Sequence, residues 1–255
     1  MGRMPQFRLQ KRIYQAARRN DIKRVHNLQR LLLRSWSARC LAVRRGTQDN
    51  RGKKTPRVDG VASLTPRQRR QMVEQLRDLS HKPAPLRRVY IPKPGRSDEW
   101  RPLAIPTLFD RAYQTLIKLA LEPEWEARFE PNSYGFRPGR SPHDAIEAIF
   151  NCIRLKPKYV LDADITKCFD RISHQALLQK LHTIRPIEHL VRGWLKAGIL
   201  DHGHYIFPQV GTPQGGPLSP LLANVALHGL ETALHQAAPA QSPPGVIRYA
   251  DDFVC

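Results

Sequence analysis

Apolar residues recur at three- and four-residue intervals near the start of the chain, at Ile13, Ala17, Val25, Leu28, Leu32 and Trp36, with Arg and Lys filling the other faces. That spacing predicts one or two amphipathic helices over residues 10–43, each with one packing face. A second helix is predicted over Leu64–Leu79, opened by Thr65 as N-cap with Pro66 at the first helical position. The period then changes: Leu86–Pro92 and Arg101–Ile105 read as strands around the turn Lys93-Pro94-Gly95-Arg96. Helical spacing returns over Asp110–Glu130 through Ala112, Leu116, Leu119 and Leu121, and again over Gln175–Leu181 after Ser173. Lys158–Ile165 is a short β-rich run, and Val246–Cys255 has two apolar runs around a polar centre, a hairpin pattern. Helices interleaved with strands, and no internal repeat, predict an α/β or α+β fold.

The charge is unevenly spread. The chain has 255 residues and a formal charge of +20, and residues 1–100 hold 26 of its 42 basic side chains but only 7 of its 22 acidic ones. The basic excess therefore belongs to the N-terminal part. Arg44–Gly60 reads as an exposed basic loop broken by Gly and Pro, and as a subdomain boundary. Such a surface attracts a polyanion, and counterion release on phosphate neutralisation makes DNA or RNA the leading partner, with a merely solvated basic face as the alternative. The most apolar stretch, Pro217–Leu230, contains Asn224 and His228 and is shorter than the roughly 20 residues a spanning helix needs, so no membrane partner is expected. Residues 1–20 carry six basic residues and no acid but no Ser, unlike a transit peptide. Cys40, Cys152, Cys168 and Cys255 form no C-x-x-C pair, which points away from zinc and disulfides and towards a reducing compartment. His202 and His204 lack a third ligand and read as loop residues.

The candidate chemistry lies in Asp164, at the end of one β run, and in Asp251 and Asp252 at the apex of the C-terminal hairpin. Carboxylates gathered from separate strands repel one another, and a cluster that stays ionised needs a compensating cation. Mg²⁺ suits, because it takes one or two carboxylates together with substrate phosphates. The plainer readings are an Asp-Asp turn and a strand-end cap.

Longer motifs sharpen this. YADD at Tyr249–Asp252, DADITKCFD at Asp162–Asp170 and GTPQGGPLSPLLANVAL at Gly211–Leu227 resemble the core motifs of reverse transcriptases encoded by group II introns. Ile91–Gln114 and Glu130–Ile146 are similar to that family's finger motifs, and Lys53–Gly60 to its N-terminal extension, all in the family's order. The resemblance implies an α+β right-hand polymerase: a basic helical N-terminal extension at residues 1–60, fingers at 61–158 and palm at 159–255, with the thumb absent. It implies RNA-templated addition of deoxynucleotides to a DNA primer 3′ end, with a maturase role on intron RNA, in a cytoplasmic, bacterial setting, with an organelle as the alternative.

The resemblance also assigns residues. Asp164 and Asp251 would hold two Mg²⁺ ions, with Asp252 beside them. Phe169 would bar a 2′-hydroxyl, so that dNTPs are the substrate, and Gln214 would lie beside the nucleotide, with Gly215 and Gly216 permitting close backbone approach. Lys93 and Arg101 would reach the triphosphate, and Arg137 and Arg140 would touch template or primer phosphate. Each has a plainer alternative: Phe169 as core, Gln214 as a cap of the helix near Leu218, Lys93 and Arg101 as surface cations. Members of the family continue past this hairpin into further palm strands and a thumb, and here three residues follow Asp252. The expectation is a fragment with weak or no polymerase activity, or one half of a protein completed by a second chain that supplies the thumb. The rival readings are an RNA-binding splicing cofactor without polymerase activity and the remnant of a broken mobile element.

Overall fold

In the computed structural model, which describes residues 5–49, 52, 55–93, 95–239 and 243–255, the basic N-terminal segment folds as three helices: α1 (Pro5–Arg18), α2 (Ile22–Arg34) and α3 (Trp36–Thr47). The one or two helices expected are divided twice. Asp21 starts α2 by accepting a hydrogen bond from Arg24 N–H at 3.0 Å, and Ser35, in extended backbone, ends α2 and starts α3. Ile13, Val25 and Leu32 are fully buried as the periodicity predicted. Trp36 is 60% exposed, because the break at Ser35 rotates it off the stripe. The predicted loop at Arg44 begins late, since α3 runs on to Thr47; a Cβ on Gly46 would stand 3.1 Å from Ala112 Cα, so this glycine lets the next long helix pack backbone to backbone. Lys53 and Lys54 of the basic loop lie outside the described residues.

Thr65 and Gln68 form a reciprocal capping box at the start of α4 (Pro66–Gln75), which stops short of the predicted Leu79. β1 (Leu86–Lys93) and β2 (Arg96–Ile105) form an antiparallel hairpin longer than predicted, turning through Gly95 at φ +75° beside Pro94, which lies outside the described residues. Thr107 caps α5 (Leu108–Glu126), followed by α6 (Pro142–Ile153), β3 (Asp162–Asp164), the short α7 (Cys168–Arg171) and α8 (His174–Leu181), which Ser173 caps. Then come α9 (Arg185–Lys196), β4 (Ile199–Asp201), β5 (His204–Ile206), α10 (Ser219–Leu227), α11 (Leu230–Ala237), β6 (Ile247–Tyr249) and β7 (Asp252–Val254). Of the β-rich run 158–165 only three residues join a ladder, with Leu161 and Cys255 exchanging two 2.9 Å hydrogen bonds just outside it.

The strands form two sheets, ordered β2-β1-β4-β5 and β3-β7-β6. β2 is an edge strand, which accommodates Pro102 without losing a ladder donor. The architecture is α+β, as expected, and its main core is helical: α5 buries Tyr113, Leu116, Ile117, Ala120 and Leu121 among side chains of α1–α4 and α8–α10, while Leu86, Ala104, Ala197 and Ile199 form a smaller cluster by the four-stranded sheet. The main core thus runs without interruption from the N-terminal helices into α8–α10. No helix among the described residues is long and apolar enough to cross a membrane.

Asp110, 1% exposed at the first turn of α5, ties three segments together. Its carboxylate accepts from Thr107 Oγ1 (2.9 Å), Ala84 N–H (3.0 Å) and Trp194 Nε1 of α9 (2.9 Å), and lies 3.0 Å from His81 Nε2. Asp110→Ala would strand several buried donors and is expected to cost about 3 kcal/mol, read as a lowered denaturant midpoint with unchanged slope.

Candidate active site at the three-stranded sheet

The β6–β7 hairpin closes with Tyr249 opposite Asp252 and only Ala250 and Asp251 between them. A two-residue turn of this hand needs positive φ at its first position; Ala250 adopts φ +62°, a conformation costly for any residue with a Cβ. β3 pairs antiparallel with β7 so that Asp164 stands directly across from Asp252, and Ile165 N–H reaches Asp251 O at 3.2 Å. Side chains opposed in this way have Cβ atoms about 5 Å apart. The three aspartates singled out from the sequence are therefore brought to one end of one small sheet.

Their electrostatics follow. Partial burial, and then the charges of Asp251, Asp164 and Asp162, push the Asp252 carboxyl above its ordinary value. Burial raises the neighbouring Cys168 thiol too, with Asp251 and Asp164 adding to the shift. Among the described residues no Lys, Arg or His lies within ion-pair distance of any of these four carboxylates. A crowd of oxygen donors short of a cation suits a hard divalent ion. It is no closed cage: no three acidic, His or Cys side chains among the described residues are grouped tightly enough to enclose a metal. Water or phosphate oxygens would have to complete any coordination sphere here.

The surrounding loops are fitted backbone to backbone. Phe169 is half-buried against the core, and its ring meets Phe136 edge to face with centroids 6.2 Å apart. Phe136 itself sits at φ +62° and is 47% exposed. The Phe169 carbonyl accepts from Thr212 N–H at 2.7 Å, and a Cβ on Gly211 would come within 2.9 Å of that same carbonyl oxygen. Gln214 O accepts from Ala104 N–H of β2 at 2.6 Å, and a Cβ on Gly215 would stand 2.8 Å from Ala104 O. The P-Q-G-G loop is thereby fastened to the larger sheet, with Gly215 lying against the backbone of β2. Gln214 caps nothing: α10 has no side-chain cap, and Ser219 Oγ donates to Pro213 O instead. Lys93 and Arg101 stand on the β1–β2 hairpin, Lys93 ion-paired with Glu99 at 2.5 Å and Arg101 exposed. Neither contacts the aspartates; Ala104 and Gln214 link their hairpin to the site.

Arg137 corrects the sequence reading. It is 8% exposed, binds Glu126 through Nε and Nη2, donates to the carbonyls of Glu130 and Ser133, and lies over the Phe129 ring at 5.2 Å. A guanidinium so occupied is an internal tie and is not offered to template phosphate. Arg140 is half-buried, stacked on Tyr134 at 5.0 Å and bonded to Pro131 O, with part of its surface still open to solvent. His202 lies in the β4–β5 turn, as expected of a loop residue, whereas His204 is the first residue of β5, paired with Asp201.

Four residues that sequence reasoning did not single out for the site surround the turn. Arg248, 3% exposed, donates from Nη1 to Ala250 O (2.8 Å) and Asn224 Oδ1 (3.1 Å) and from Nη2 to Ser133 Oγ (2.7 Å). Asn224 Nδ2 donates to Gly135 O at 2.8 Å, and a Cβ on Gly135 would come within 2.9 Å of Ala250 Cα. The available signals were a cation in an apolar three-residue strand and an amide inside the most apolar stretch of the chain, both unusual enough to demand buried partners.

Comparison with known proteins bears on this geometry. Residues 91–255 match the family described as reverse transcriptase (RNA-dependent DNA polymerase), and residues 4–76 match the N-terminal domain of reverse transcriptase. Protein YkfC of Escherichia coli (strain K12) is 38% identical over 227 residues, 84% of this chain and 58% of that protein. The group II intron-encoded protein LtrA of Lactococcus lactis subsp. cremoris is 40% identical over 168 residues, 64% of this chain and 27% of that protein. Among solved structures, a chain of a partial Cas6-RT-Cas1–Cas2 complex superposes with a TM-score of 0.54 at 26% identity, over 89% of this chain and 37% of that one. The chain thus spans little more than half the length of the first of these relatives and about a quarter of the second.

The crowding of acids has a measurable consequence. Because the folded state raises the Asp252 pKa, its contribution to stability is complete below the unfolded carboxylate range and is lost as pH climbs through the folded value. In the presence of a chelator, Asp252→Asn should unfold at a higher denaturant concentration than the parent at about pH 7, and at the same concentration at about pH 3.

Proposed function

The chain belongs to the reverse transcriptase family, and we propose that the protein copies RNA into DNA at the Asp164–Asp251–Asp252 site, adding deoxynucleotides to a primer 3′ end in the service of a group II intron. The observation that carries this reading is the ladder that sets Asp164 opposite Asp252, next to Asp251. Two Mg²⁺ ions, held by Asp164 and Asp251 together with substrate phosphates, would activate the 3′-hydroxyl and stabilise the departing pyrophosphate. Asp252 adds negative potential that favours the loaded state. Phe169, with Phe136 on its edge, is the wall against which a 2′-hydroxyl would collide. Gln214 lies beside the nucleotide, and Gly215 and Gly216 let the nucleotide approach the backbone. Lys93 and Arg101 take the triphosphate, Lys93 by exchanging its Glu99 partner for phosphate. Arg140 is the remaining phosphate contact of its segment.

The division into extension (1–60), fingers (61–158) and palm (159–255) follows the same reading, with the excess of basic side chains in residues 1–100 holding template and intron RNA. A maturase role needs that surface and not the aspartates, which is why RNA binding and synthesis should separate by mutation. The setting we propose is bacterial and cytoplasmic.

RNA-templated primer extension by the protein at its full natural length tests the proposal. Asp164→Asn or Asp251→Asn should lower the extension rate at least about a thousand-fold, some 4 kcal/mol of transition-state stabilisation, with RNA affinity unchanged. Full activity in either variant would refute it, and RNA binding with no extension in the parent would leave the splicing-cofactor reading. Phe169→Ala should raise ribonucleotide incorporation relative to deoxynucleotide by about 10- to 100-fold.

A further inference from the structure

We infer that Arg248, with Asn224, Ser133 and Gly135, is a positioning device that holds the Ala250–Asp251 turn in its strained shape and so sets where Asp251 stands. The inference rests on the reading of Asp164 and Asp251 as metal-holding carboxylates.

Three observations carry it. First, Arg248 is a buried guanidinium in ion-pair contact with no carboxylate among the described residues; Glu130 is the acid whose charge it feels most. A buried cation without a paired anion is costly, so its hydrogen bonds have to hold it in place. Those bonds go to the turn and its supports: Ala250 O, Asn224 Oδ1 and Ser133 Oγ. Second, the backbone is clamped from the same side. Ser133 and Arg248 form an isolated parallel bridge, Tyr134 N–H donates to Arg248 O at 2.8 Å, and Arg248 N–H donates to Asn132 O at 2.9 Å. Gly135 lies so close to Ala250 that any side chain there would displace the turn, and Asn224 fixes the Gly135 carbonyl while it receives Arg248. Third, what is clamped needs clamping: Ala250 holds positive φ, and the residue after it is one of several mutually repelling carboxylates. The side chain of Arg248 bonds to the carbonyl immediately before Asp251, so a shift of the guanidinium is passed directly to that aspartate.

Mn²⁺ binding to this chain, followed by the loss of free-ion paramagnetic resonance signal, reads carboxylate placement without requiring turnover, and amide hydrogen exchange reads the turn. Asp251→Asn and Asp164→Asn calibrate the site: if neither weakens Mn²⁺ binding, the metal reading itself fails, whatever Arg248 does. Given that calibration, Arg248→Gln should weaken Mn²⁺ at least five-fold and speed exchange over residues 247–254 at least ten-fold, with the amides of α5 as protected as in the parent. Ala250→Gly, which removes the backbone strain, should restore Mn²⁺ affinity in the Arg248→Gln background to within two-fold, a rescue that a general stabilising role would not produce. Parental Mn²⁺ affinity and exchange in Arg248→Gln would overturn the inference, as would failure of the glycine rescue. Should Arg248→Gln not fold, Ser133→Ala, which removes one acceptor and leaves the rest of the brace, should weaken Mn²⁺ about two- to three-fold and quicken exchange in the hairpin alone; parental values there would overturn it equally.

Discussion

Mutual repulsion among Asp164, Asp251, Asp252 and Asp162 is the force against which this part of the molecule is built. With no cation among the described residues in ion-pair distance, these carboxylates would move apart if their backbones were free. They stay together because none stands on a loose segment. Asp164 is locked by the β3–β7 ladder, Asp252 is shared between two ladders, and Asp251 lies in a turn too short to relax. The sheet holds an unfavourable electrostatic arrangement in place.

That arrangement is extended outward by contacts between backbones. Gly135 against Ala250, Gly211 against the Phe169 carbonyl and Gly215 against Ala104 each mark a place where one chain segment lies on another with no room for a methyl group, and Gly46 against Ala112 a place with little room for one. Such contacts leave little compliance, because close-packed backbone transmits displacement. The loop 211–216 consequently touches α7, through Thr212 to Phe169, on one side and the larger sheet, through Gln214 to Ala104, on the other. α5 supplies the rigid floor, with its buried apolar face in the common core and Asp110 at its first turn gathering the 81–84 segment and α9. The basic N-terminal helices are part of this floor, since α1 and α3 pack on α5.

Much of this was readable in one dimension. The Thr65-Pro66-x-Gln68 start of α4, the Ser173 cap of α8, the hairpin around Gly95 and the apolar face of α5 are local patterns, and their physics acts between residues a few positions apart. The three aspartates were legible for a different reason: an acidic pair between apolar runs at a turn, and a carboxylate ending a strand, are chemically conspicuous wherever they point. Family motifs then tied the pieces to one reaction.

Other features depended on partners that proximity in sequence cannot specify. Arg137 carries the same charge on paper as Arg140, yet Glu126 and two carbonyls enclose it while its neighbour remains partly open. Trp36 fitted the helical stripe until a single extended residue, Ser35, turned it outward. Arg248 gave no hint of supporting the site, because Ser133 and Asn224 reach it from 115 and 24 residues away. Residue identity and spacing decided which groups could bear charge, bend the backbone or cap a helix. Burial and long-range hydrogen bonding decided which of those groups face a substrate and which hold the molecule together, because both depend on what the folded chain brings within about 3 Å.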